Sequence, residues 1–194
     1  MLSMFFVHDG KDTSKWRIKG HAKEPFWKWL ASWSVFIRNP AELGYDGAKF
    51  ILPEIKVDID YVDSEINDGH LFAMPVSTLG ERRQARKSSI DDRVAKIAKR
   101  VNKSKDTFLI WCNFNEESDK LTRSINNAVE VKGGDTVEHK ESAMLDFGLG
   151  KIRVLVTKPK IAGFGMNWQK CHHIIFCGLS DSYEQYYQAV RRCY

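Results

Sequence analysis

The chain has 194 residues, 43% hydrophobic and 12% aromatic, with a formal net charge of +5. That is long enough for one sizeable core plus an appendage, and too apolar for a disordered chain. No apolar run approaches the roughly 18–20 residues that span a bilayer, and the apolar start at residues 1–7 lacks the basic region and small-residue cleavage site of a signal peptide.

The charge is uneven. Residues 1–80 carry 9 Lys/Arg against 11 Asp/Glu, residues 81–105 carry 10 against 3, and residues 106–194 carry 11 of each. The middle segment therefore supplies the basic excess, which is either a footprint for a phosphate backbone or a solvated helix face. Of the four cysteines, Cys112 and Cys177 fall in or beside apolar runs, and Cys171 and Cys193 complete the set, as expected of reduced thiols in a cytosolic protein. Cys171-His172-His173 with Cys177 fits no usual zinc spacing, and its ligands would alternate across a strand, so no metal site is expected.

In chain order, residues 1–23 read as irregular, with Gly10 and Gly20 as breakers. Glu24-Pro25 opens a helix over about 25–38, with Phe26, Trp29, Leu30, Trp33 and Ile37 on one face, and Asn39-Pro40 ends it. Residues 55–62 alternate apolar and polar, the pattern of a half-buried strand. Residues 66–80 are loop-like, and 82–87 either extend the next helix or stay mobile. That helix starts at Ser89 with capping-box-like spacing to Asp92, and buries Ile90, Val94, Ile97 and Val101. A buried strand at 108–112 precedes a helix start at 113–121, and a strand from Ala128 ends in Gly133-Gly134. Asp135-Thr136 begins a helix that carries Val137, Met144 and Phe147 inward. Val154–Val156 and Ile174–Phe176 are continuous apolar runs, each followed by a Gly-containing loop. Runs of this kind mark buried parallel strands, whose carboxyl ends carry the ligand sites. The alternation predicts an α/β fold: a parallel sheet with helices on both faces.

Two segments carry a resemblance. Thr157 followed by Ala162-Gly-Phe-Gly-Met-Asn167 resembles motif V of superfamily 2 helicases, in the Swi/Snf-type form. Gln188-Ala-Val-Arg191-Arg192 resembles the start of motif VI. Residues 34–40 and 50–53 resemble the passage from the first motor lobe into the second, in the shortened form of phage and prophage helicases. This implies that residues 1–45 are the tail of the first lobe and a linker. Residues 46–194 would be the helicase C-terminal RecA-like domain (the P-loop NTPase fold), cut within motif VI.

The resemblance also implies roles. Gln188 and Arg192 face the nucleotide as the catalytic pair, with Gly165, Asn167 and Arg191 around it. Asn113, at the strand end resembling motif IV, together with Gly133, Gly134, Thr157, Lys158 and Lys160, faces the tracked nucleic acid. Ordinary helix capping by Asn113 or Asn115, a simple turn at Gly133-Gly134, dipole-facing arginines at 191–192 and solvated lysines are the structural alternatives. ATP and Mg2+ are the implied cofactors of the intact parent, an ATP-hydrolysing helicase or translocase. The chain alone holds no phosphate-loop Gly-x-x-x-x-Gly-Lys pattern and no magnesium-binding acidic box, so it is expected to bind no cofactor and to be inactive. Gly163-Phe-Gly165 is not a dinucleotide fingerprint, because Trp168 stands at the third glycine position. The implied partners are single- or double-stranded DNA and the N-terminal RecA-like lobe of the same parent, with no membrane, in a bacterial cytoplasm. The rival readings are a stand-alone nucleic-acid-binding or adaptor domain without motor activity, and a metal- or nucleotide-dependent enzyme of other chemistry.

Overall fold

The computed structural model describes residues 2–9, 12–35, 37, 39–51, 53–62, 79–163 and 165–193. The chain divides into two units, Met1–Ile55 and Lys56–Tyr194.

The first unit departs from its expected irregular start. A short helix α1 (Leu2–Phe5) leads into β1 (Phe6–Asp9), which pairs antiparallel with β2 (Asp12–Ile18). Gly10 lies outside the described residues. Helix α2 spans Lys23–Ala31, so it starts two residues before Pro25 and stops well short of residue 38. Pro25 still falls in the first turn, where its missing N–H has no intrahelical partner to lose. The early stop has a local cause. The Ser32 and Ser34 hydroxyls donate to the carbonyls of Trp29 (2.6 Å) and Leu30 (2.7 Å), turning back on the last turn. The apolar stripe is correspondingly short: Phe26 and Trp29 pack on the buried Phe5 with ring centroids 5.5 Å apart, whereas Trp33 and Ile37 are exposed. Phe36, Arg38 and Leu52 of the linker-like passage lie outside the described residues.

The second unit holds the parallel sheet. Residues 56–62 form no strand. Among the described residues their alternation meets no sheet edge, and Val57, Ile59 and Tyr61 stay exposed. The 66–78 part of the expected loop lies outside the described residues. The basic run is a helix of its own, α3 (Leu79–Ser88), joined through Ser89 to α4 (Ile90–Lys103). Ser89 does not cap α4; its hydroxyl donates instead to the carbonyls of Ala85 and Arg86. The elements that follow are β3 (Phe108–Trp111), α5 (Asn115–Ser124), β4 (Ala128–Glu130), α6 (Val137–Gly148), β5 (Val154–Thr157), α7 (Pro159–Ala162), β6 (His173–Phe176) and α8 (Tyr183–Val190). The sheet order is β4-β5-β3-β6, and every pairing is parallel.

Strand alternation splits the core in two. Phe108, Ile110, Val154 and Val156 pack against α4 and α5, while Leu109, Trp111 and Leu155 pack against α6 and the segments around α7 and α8. Helices thus cover both faces, as the alternation of runs requires. Val137, expected inward, is 71% exposed, because α6 begins there and buries its face only from Ala143 to Phe147. At the amino end of the sheet, Arg153 donates to the carbonyls of Val101, Ser104 and Asn126, fastening the end of α4 to β5. Among the described residues no helix is long and apolar enough to cross a membrane.

Candidate functional site

The chain leaves β3 for α5 on one face and leaves the neighbouring β5 for α7 on the other. Adjacent strands whose connections diverge in this way open a crevice at their carboxyl ends. The site is therefore built from the residues just past β3, β4, β5 and β6.

Past β3, Glu117 sets the geometry. It is fully buried, and one carboxylate oxygen accepts from the backbone N–H groups of Asn113 (2.7 Å) and Phe114 (3.0 Å). At the third position of α5 it supplies the acidic half of a capping box. Its other oxygen meets the Arg93 guanidinium at 2.6 Å. Arg93 also donates to the Cys177 carbonyl at the end of β6, to the Arg86 carbonyl and to the Ser89 hydroxyl. One buried ion pair thus joins α3, α4, the start of α5 and two strand ends. Gly178 completes it: a Cβ there would lie 2.7 Å from a Glu117 oxygen and 3.1 Å from the Asn113 Cβ. Burial, with the Glu117 charge next in weight, pushes the Cys177 thiol up to about 12, and burial likewise raises Cys112.

Past β4, Gly133 and Gly134 are exposed, and a Cβ on either would meet nothing within 4 Å. The Lys140 ammonium donates to the Gly133 carbonyl (2.6 Å) and the Asp135 carboxylate accepts from the Lys132 N–H (2.6 Å), so the loop is held from behind.

At the end of β5, Thr157 and Lys158 part company. Thr157 is fully buried and donates its hydroxyl to the Val131 carbonyl at 3.0 Å. It ties β5 to the β4 end and offers no hydroxyl at the surface, which corrects its expected place on the loop. Lys158 reaches the Asn115 side chain at the start of α5, and Lys160 is exposed on α7. Gly165 takes a left-handed φ of 77°, a conformation that favours glycine, and Asn167 is exposed; Phe164 lies outside the described residues.

The motif V-like loop and the motif VI-like helix meet directly. The Trp168 N–H donates to the Arg192 carbonyl (2.7 Å), and the Arg192 guanidinium donates to the Met166 carbonyl (2.7 Å) and the Gln188 side-chain oxygen (3.1 Å). Arg192 Nε also donates to the Gln188 carbonyl at 3.1 Å, a contact with the last turn of its own helix. Trp168 is buried edge-on to Phe147 and donates its indole N–H to the Met144 carbonyl (3.2 Å), which anchors the junction in the core. Arg191 points elsewhere: it is exposed, with its guanidinium 4.4 Å from the Tyr187 ring centroid.

The comparisons with known proteins bear on this arrangement. Residues 92–194, just over half of the chain, match the family described as the helicase conserved C-terminal domain. The chain belongs to that family.

Among solved structures, this helicase C-terminal domain is similar to the C-terminal part of the Fun30 ATPase domain, with 19% identity over 53% of this chain and 36% of that one, at a TM-score of 0.47. It is also similar to T4 UvsW (14% identity, 58% and 24% covered, TM-score 0.45) and to the Pyrococcus furiosus Hef helicase domain (14%, 59% and 25%, 0.40). The match spans about a third of the first of those chains and about a quarter of the others. No match was found among curated proteins.

The helicase domain has the expected RecA-like architecture. It brings Gln188 and Arg192 to the loop that bears Gly165 and Asn167, and Asn113 and Lys158 to the β3 and β5 ends, with Gly133 and Gly134 in the loop past β4. Sequence reading missed Arg93 and Glu117. In the sequence Arg93 is one of ten cations at residues 81–105, and the one signal for Glu117 is its spacing from the helix start at Asn115. Cys171 and Cys177 pack into the cores on opposite sides of the sheet. Among the described residues, no group of three or more His, Cys, Asp or Glu side chains could hold a metal ion.

Proposed function

We propose that this chain is the second motor lobe of an ATP-driven, Swi/Snf-like superfamily 2 DNA helicase or translocase of phage or prophage type, working in a bacterial cytoplasm. The observation that carries the reading is the junction in which Arg192, held by Gln188, is bonded to the Met166 carbonyl of the loop that also bears Gly165 and Asn167. A side chain of the nucleotide wall and the backbone of the coupling loop there share hydrogen bonds, so nucleotide contacts and strand contacts are linked through a few atoms.

In this reading the first lobe of the parent supplies the phosphate loop and the acid for Mg2+. This lobe adds charge complementarity to ATP. Phosphoryl transfer is catalysed mostly by positioning and electrostatics, and an arginine placed against the γ-phosphate is worth roughly 10³–10⁵ in rate. Arg192 would face the nucleotide when the lobes close and add its positive charge there. Gln188 holds the guanidinium plane, Gly165 and Asn167 border the nucleotide, and Arg191 would have to leave the Tyr187 ring to join them. Asn113, Lys158, Lys160 and the backbone of Gly133 and Gly134 contact the DNA backbone, with Thr157 fixing the loop that carries the lysines. Residues 1–45 serve as the tail of the first lobe and the crossing linker.

The test is ATP turnover by the intact two-lobe parent. Arg192→Ala is expected to lower DNA-stimulated turnover by about 10³-fold, while the 194-residue chain alone turns over no ATP. A parent that binds DNA with steep salt dependence but hydrolyses no ATP would instead be the adaptor of the rival reading.

A further inference from the structure

Helix α3 crosses the same carboxyl edge and is basic, carrying Arg82, Arg83, Arg86 and Lys87 against Glu81. Two contacts lay it there. The Arg83 guanidinium sits 5.8 Å from the Phe114 ring centroid, just past β3. Arg86 grips Asp181, between β6 and α8, with two parallel bonds of 2.7 and 3.3 Å. Arg82 lies one turn before Arg86 and adds its charge to the field on Asp181, whose carboxyl Arg86 holds below its ordinary range.

That fork is informative. A guanidinium gripping one carboxylate through two bonds uses the geometry with which it grips a phosphate. Neither partner is buried: the side chains are 30% and 53% exposed. An exposed pair of this kind holds weakly and yields to a competing anion. The backbone of α3 is secured separately, by Arg93 on the Arg86 carbonyl and by the Ser89 hydroxyl on the Ala85 carbonyl. Arg86 can therefore change partner without α3 losing its place.

We propose that α3 is a phosphate-binding arm for the nucleic-acid backbone, and that Asp181 occupies the Arg86 fork as an internal stand-in for a phosphate until the strand displaces it. Asp181 then acts as a built-in competitor that weakens binding. The proposal takes only the identity of the ligand from the motor reading.

The experiment is fluorescence anisotropy of a labelled oligodeoxynucleotide with the 194-residue chain, across a salt series. Asp181→Asn is expected to tighten binding by about two- to fivefold, the worth of an exposed ion pair. Arg86→Gln is expected to weaken it and to lower the magnitude of the log–log salt slope by about one. In the Arg86→Gln background, Asp181→Asn should change nothing, because the two substitutions act through one contact. Arg82→Gln checks that the neighbouring cation contributes to the slope. If Asp181→Asn leaves affinity unchanged or weakens it, or if Arg86→Gln leaves the slope intact, the arm is overturned while the strand-end contacts stand. A parent without ATP turnover overturns the motor and leaves the arm standing. Equal displacement of the probe by inorganic phosphate at the same phosphate concentration would show a free-anion site and overturn the arm too.

Discussion

Gly178 and the Gly133-Gly134 pair follow strands of the same parallel sheet, at the same edge. A methyl group added at Gly178 would sit 2.7 Å from a Glu117 oxygen, whereas at Gly133 or Gly134 it would meet nothing within 4 Å. On the β3–β6 side the edge is closed from within by Arg93 and Glu117. On the β4 side it is open. Glycine at residue 178 answers to the fold; at 133 and 134 nothing inside the fold asks for it, which leaves room for an outside partner to approach the backbone.

Substitutions at the two places should separate these roles. The largest effect is expected from Glu117→Gln, which removes the counter-charge of Arg93 and turns an NH2 group either on its guanidinium or on the Asn113 and Phe114 amides. Stability should fall by about 3 kcal/mol, the low end for breaking a buried pair, because Arg93 keeps 17% exposure. Chemical denaturation of the chain measures it. Next comes Gly178→Ala, which overpacks the same spot and should cost about 1–3 kcal/mol in the same assay. Gly133→Ala and Gly134→Ala should each stay within about 0.5 kcal/mol of the parent chain in stability. Oligonucleotide affinity should nevertheless weaken severalfold. If either alanine destabilises as much as Gly178→Ala, the contrast between the two sides is lost.

Titration sharpens the comparison further. The Asp181 carboxyl, depressed by Arg86, holds the Arg86 side chain fully above the ordinary carboxylate range near pH ~4, and that contribution is lost as pH falls through the lower folded value. Arg86→Gln should move the Asp181 midpoint back up, as read by NMR. The smallest effect is a null one. With Cys177 pushed up to about 12 and Cys112 also raised, neither thiol should react with iodoacetamide at pH ~8 until the chain is unfolded, as read by mass spectrometry.

The sheet was legible because Val154–Val156 and Ile174–Phe176 are short, unbroken and β-branched, and such runs have few other places to go. The alternating run at 55–62 carried an equally regular pattern and formed no strand, since alternation specifies a face and not a neighbour to pair with. The β1–β2 pairing was hidden by the opposite problem, since both runs are modest in apolar content. Helix α2 overran in prediction because apolar periodicity continues past Ala31, while the Ser32 and Ser34 hydroxyls that end it are silent in a hydrophobicity pattern. At the site, the motif-like residues were legible one by one. Their wiring was not. Arg93 and Arg86 looked like two more surface cations, and only three-dimensional proximity turns one into a buried clamp and the other into a carboxylate-holding fork.

The bond from the Trp168 amide to the Arg192 carbonyl has a mechanical consequence. Trp168 is wedged against Phe147, so the turn that carries Arg192 is pinned to the hydrophobic interior rather than to a swinging tether. The same turn is bonded to the Met166 carbonyl, next to Asn167. Loop and turn are thus cross-braced at two points, one from each backbone.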